Sequence, residues 1–204
     1  MELKIKDPGS ALTHFIAMLT AMVAATPLLI KAASVPGTMH LKALSVFIVS
    51  MILLYAASTV YHTFDISEHV NKILRKIDHM MIFILIAGTY TPVCLIVLGN
   101  KSGYRMLSLV WGIAIVGIII NALWINCPKW FSSVIYIAMG WVCIMAIRQI
   151  VAALTPAAFA WLLAGGIIYT IGGVIYALKL PIFNAKHKNF GSHEAFHLSL
   201  IHIS

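Results

Sequence analysis

The sequence has very little charge for its length. Only 10% of its 204 residues are charged, and just six are acidic. A soluble globular domain carries roughly 25% charged residues, so a water-facing coat is excluded. With 61% hydrophobic residues and a mean hydropathy of +0.97, the chain must be solvated by lipid. Cysteine is equally sparse. Cys94, Cys127 and Cys143 are scattered, odd in number and without a C-x-x-C pair. That excludes a disulfide framework or a zinc knuckle and leaves buried small apolar residues. Low-complexity tracts and short-period repeats are missing too. So is any block or stripe of basic residues: the 14 Lys and Arg lie in short gaps between apolar runs. This distribution argues against a nucleic-acid partner and for residues that flank membrane spans, where they set topology and meet anionic headgroups. The first apolar run, about 20 residues, is too long for the h-region of a cleaved signal and reads as a retained span.

Seven long apolar runs are present. They lie at about 11–30, 43–62, 78–98, 105–124, 131–149, 157–178 and 190–204, the first six close to the roughly 20 residues that cross a bilayer. The expectation is an all-α integral membrane protein, one domain of seven transmembrane helices over residues 1–204. Tyr104, Trp130 and Trp161 fall near segment ends, where amphipathic rings favour the interface. The last run is short: from Asn189 to Ser204 a helix spans about 24 Å at 1.5 Å per residue, against about 30 Å of hydrocarbon. It reads as a truncated crossing. Nine of the 14 Lys and Arg sit at the N-terminus and in the second, fourth and sixth connections, five on the other side. The richer side is normally cytoplasmic, so the N-terminus is placed inside.

That orientation has a chemical consequence. The second run ends on the cytoplasmic side, and the third and seventh begin there. Ser58 and His62 in "STVYHTF", Asp78 and His79 in "KIDHMMIF", and His193 and His197 in "SHEAFHL" therefore share one membrane level. Residues four apart on a helix lie on one face, which pairs Ser58 with His62 and His193 with His197. Each feature alone has an ordinary reading. The histidine pair reads as polar caps, Asp78 as an acid in a first helical turn, and Ser58 as an interhelical hydrogen-bonding residue. Gathered at one depth, where ionisable groups are costly and face a partner or cavity, they read as a site. Three imidazoles and a nearby carboxylate suit zinc, whose catalytic sites use three protein ligands and an open position. Asp78 then orients a ligand or accepts a proton, and Ser58 hydrogen-bonds beside it. His79 points about 100° away from Asp78 on a helix and is set aside.

The same stretches, "STVYHTF", "IDHMMIFILIAGTYTP" and "GSHEAFH", resemble the bacterial hemolysin III-like membrane proteins, relatives of the progestin and adipoQ receptors, which in turn resemble alkaline ceramidases. The resemblance spans nearly the whole chain. It implies a seven-helix fold in the bacterial inner membrane, with zinc held by His62, His193 and His197 and supported by Asp78 and Ser58. In the wider group it implies hydrolysis of ceramide-like lipid amides; in the bacterial branch, a role in membrane homeostasis and a cytolytic label. Three functions stay open: a zinc-dependent hydrolase of a lipid-like amide or ester, a membrane-state sensor with structural zinc, and a pore-forming cytolysin. The opening "DPGSALTH" departs from the family's acidic-Asn-Thr-His pattern, keeping Thr13 and His14 with Asp7 and Ser10 at the looser positions. His14 is read here as an interfacial histidine neighbouring the site.

Overall fold

A computed structural model of the chain describes residues 5–124 and 129–178, and every regular element in them is helical. The helices are α1 (Pro8–Ala33), α2 (Met39–Thr63), α3 (Glu68–Pro92), α4 (Lys101–Leu123), α5 (Lys129–Trp141), α6 (Ile147–Ala153) and α7 (Pro156–Leu178). A π-helical turn, Val93–Leu98, continues α3, and a 3-10 turn, Val142–Ala146, joins α5 to α6. Five stretches are long and apolar enough to cross a membrane: Pro8–Ala33, Met39–Thr63, Glu68–Leu98, Lys101–Leu123 and Trp130–Ala153. α7 is a sixth apolar helix. These correspond to the first six apolar runs. The seventh run, 190–204, lies outside the described residues with His193 and His197, as does Cys127.

α2 packs against α1 on one side and α3 on the other, α3 packs on α4, and α7 lies against α5. α3 is the hub, and Phe83, Leu85, Ile86, Ala87 and Tyr90 from it are all buried. Elsewhere large apolar side chains face outward: Leu123, Met145, Val23 and Trp161 are exposed. In a soluble protein such a surface would drive association; in a bilayer it is the solvated face. Gly88 sets the α2–α3 spacing, because a Cβ there would run into the Ser50 side chain. Pro92 ends the regular α-helix, as its missing N–H predicts. The π turn then closes on Gly99, whose left-handed backbone (φ 56°) lets its N–H donate to the Cys94 carbonyl at 3.1 Å. Across the bundle the Tyr90 hydroxyl fits the start of the 3-10 turn. It lies 2.9 Å from the Met139 carbonyl and 2.7 Å from that of Gly140, and accepts the Cys143 N–H at 3.0 Å.

One boundary differs from the hydropathy reading in a way that matters for the site. α3 begins ten residues before Asp78, at Glu68, with the Ser67 hydroxyl accepting the Val70 N–H at 3.3 Å. The stretch "EHVNKILRKI" is polar on most of its surface and invisible to a search for apolar runs, yet it is helix. Asp78 is therefore not a first-turn acid; Glu68 is. The helix-dipole explanation for Asp78 fails on position, since that effect fades within the first turn.

Candidate site at the α1, α2 and α3 ends

The C-terminal end of α2 supplies Ser58 and His62, one helical turn apart and both buried. Asp78, on the third turn of α3, is 1% exposed. The Ser58 hydroxyl stands close enough to act on the Asp78 carboxyl. No hydrogen bond of ordinary geometry reaches Ser58 Oγ or either Asp78 oxygen among the described residues. The two side chains are neighbours, and the carboxyl is not satisfied by Ser58 alone. Lys6 lies near enough to contribute its field at Asp78.

α1 completes the described part of the site, further than its sequence suggested. Pro8 occupies the first helical position, where its missing N–H leaves no bond unmade. Asp7 precedes it as N-cap, and Ser10 and His14 follow on one helical face, both buried. His14 is not an interfacial histidine. It is 1% exposed, and its ring stacks on that of His62 with centroids 5.8 Å apart and planes 11° from parallel. Tyr55 flanks His14 at 6.0 Å, and Tyr61 meets His62 edge-on at 4.7 Å. The Asp7 carboxylate reaches His62, with Oδ2 3.0 Å from Nδ1. The readable signal was the spacing of Asp7, Ser10 and His14, which puts a carboxylate, a hydroxyl and an imidazole on one face of the first two turns. Judged one at a time, these residues lost that information.

His79 is turned away, as its position on the helix requires. Its Nδ1 lies against the Arg75 carbonyl, at 2.6 Å, and its own carbonyl accepts the Tyr136 hydroxyl at 2.8 Å. Asp65, Glu68 and His69 are exposed, as expected of residues in water.

The described residues suit part of a metal site without forming a whole one. No three His, Cys, Asp or Glu side chains among them converge closely enough to hold an ion. The two remaining expected ligands, His193 and His197, lie outside the described residues. The donor chemistry nevertheless fits. A carboxyl buried this fully, with no hydrogen bond of ordinary geometry among the described residues, is costly unless a cation or donor offsets it. A histidine whose Nδ1 is engaged by a carboxylate also has the arrangement common to metal-ligating imidazoles.

On the opposite half of the bundle is an apolar cavity of about 250 Å³, lined by residues including Leu85, Ile86, Tyr90, Cys143 and Tyr169. Its nearest α3 residue, Leu85, is seven positions from Asp78, about 10 Å along the helix.

Comparison with known proteins finds relatives along nearly the whole chain. The family described as "Haemolysin-III related" matches residues 3–202. The "Hemolysin-3 homolog" of Bacillus subtilis (strain 168) is 36% identical over 186 residues, covering 91% of this chain and 87% of that protein. "Hemolysin-3" of Bacillus cereus is 38% identical over 181 residues, covering 88% and 82%. The chain belongs to the haemolysin-III related family of membrane proteins.

Proposed function

We propose that this protein is a zinc-dependent hydrolase of the bacterial inner membrane, cleaving an amide or ester in a lipid-like amphiphile that enters from the cytoplasmic leaflet. The observation that carries the reading is Asp78: a fully buried carboxyl with no hydrogen bond of ordinary geometry among the described residues, beside Ser58 and at the same bundle end as His62. His62, His193 and His197 would hold the metal. Zinc, when bound, supplies Lewis acidity toward a carbonyl and a nearby water. The chain's own groups do the rest. Asp78 takes the proton of the water whose oxygen attacks the carbonyl carbon, and returns it to the departing nitrogen or oxygen. Ser58 orients the Asp78 carboxyl. His14 packs on His62 and Tyr55 flanks His14; together they exclude bulk water, which strengthens every electrostatic contact inside.

Two features support a lipid-like substrate. The site lies at a helix-end level, where the linkage region of an amphiphile resides, and the apolar cavity begins about two turns further along α3. A polar linkage at Asp78 with an acyl chain directed toward Leu85 and Ile86 matches this order. A role in membrane homeostasis follows from turning over such a lipid.

The test is metal content and turnover on purified full-length chain. Wild type is expected to carry roughly one zinc, lost in His62→Ala. Asp78→Asn at saturating zinc is expected to cut hydrolysis of an N-acyl amide or ester lipid about 100-fold or more, the lower range for a general base. Wild type and His62→Ala with equal zinc content would end the metal reading. Full zinc loading with no turnover on either lipid class would leave the metal as a structural staple in a membrane sensor.

A further inference from the structure

We infer that Asp7 is a positioning residue for the metal site, and that the segment before α1 is a strap holding the His62 imidazole in one orientation. The inference rests on the zinc reading above and adds a residue to it. Asp7 occupies the N-cap of α1, directly before Pro8, where an aspartate ordinarily accepts the N–H of the second or third helical residue. It makes no such cap bond. Its carboxylate goes instead to His62, 55 positions along the chain, at 3.0 Å. A cap is typically worth about 1 kcal/mol, so diverting it marks what the side chain does instead.

The backbone confirms that the strap is built around this one residue. The Lys6 N–H donates to the Thr63 carbonyl at 3.3 Å, and the Asp7 N–H to the His62 carbonyl at 2.9 Å. Both carbonyls belong to the last turn of α2, which has no further helical donors to offer them. The Lys6 ammonium sits 3.8 Å over the ring of Tyr61, and Tyr61 meets the edge of His62. His62 is thus held by its own carbonyl, its Nδ1 and ring contacts with Tyr61 and His14.

The chemistry follows from the partners. An ionised carboxylate only accepts hydrogen bonds, so Nδ1 carries the proton and Nε2 the lone pair that a metal uses. The His62 side chain is 4% exposed and that of Asp7 47%. The carboxylate therefore reaches in from the water side to a buried imidazole, fixing its tautomer as carboxylates do for metal-ligating histidines.

Chelator competition on the full-length chain in detergent, with zinc as the probe, tests this without any substrate. Asp7→Asn keeps the backbone bonds and the side-chain size, and is expected to weaken zinc binding 10- to 100-fold. Asp7→Glu is expected to recover most of that loss. Glu68→Gln removes an exposed acid at the same end of the bundle and controls for net charge; it should leave affinity unchanged. Asp7→Asn binding zinc as tightly as wild type, while His62→Ala loses it, overturns the role of Asp7 and leaves the zinc reading standing. Wild type that binds no zinc overturns both. Should Asp7→Asn fail to fold, nitrogen NMR of metal-free wild type decides instead, with the His62 signals assigned by difference against His62→Gln. A proton on Nδ1 is expected, and a proton on Nε2 alone overturns the inference.

Discussion

A carboxyl group buried as fully as that of Asp78 loses its hydration, and no hydrogen bond of ordinary geometry among the described residues replaces it. Removing charge there has opposite consequences with and without a cation nearby. In the metal-free chain, Asp78→Asn removes the cost of burying a charged group and is expected to raise the melting temperature. In the zinc-loaded chain the same change removes an attractive partner, and the gain in melting temperature on adding zinc is expected to shrink. Thermal unfolding of both proteins, with chelator and with zinc, measures the two signs together. A change in the same direction under both conditions would mean that Asp78 does not sense the metal. At this scale the gathering of Ser58, His62 and Asp78 at one end of the bundle was legible because spacing and depth both selected it. His14 was misjudged because a single histidine near a helix start has a common interfacial explanation, and only its packing on His62 excludes it.

The helices hold these side chains through a small number of close contacts, and the α2–α3 contact is the one to perturb. A Cβ on Gly88 would strike the Ser50 side chain, whose hydroxyl is already bonded to the Phe47 carbonyl at 2.7 Å. Gly88→Ala is therefore expected to cost about 1–3 kcal/mol, the usual penalty for overpacking, seen as a lower melting temperature. Ser50→Gly in the same chain removes the obstructing atoms, so the pair should lose less than Gly88→Ala alone. Equal losses in the single and double variants would place the strain elsewhere. The extent of α2 was legible to within a few residues because polar residues or Pro and Gly frame both of its ends. The start of α3 was not, because hydropathy registers only the part of a helix that lipid must solvate. The first turns of α3 carry Glu68, Lys72 and Arg75 into water and keep their helix through the Ser67 cap. Ser67 and the acid beside it were a readable start signal, masked by the apolar run further on.

For the whole molecule, orientation decides which leaflet the site can draw on. The span Glu68–Leu98 has 31 residues, about 45 Å of helix at 1.5 Å per residue. That exceeds the roughly 30 Å of hydrocarbon, so its two ends must emerge on opposite faces. Asp78 lies toward the Glu68 end, the end that the distribution of Lys and Arg assigns to the cytoplasm. In a background with the three native cysteines replaced by alanine, Glu68→Cys and Lys101→Cys report the two faces, both positions being exposed. Neither change weakens the charge asymmetry: Glu68 is not a basic residue, and losing Lys101 depletes the poorer side further. A membrane-impermeant maleimide is expected to label Lys101→Cys in intact cells, and Glu68→Cys only after the membrane is inverted or opened. The reverse pattern would turn the bundle over, carry Ser58, His62 and Asp78 to the outer leaflet, and require the substrate to arrive from there.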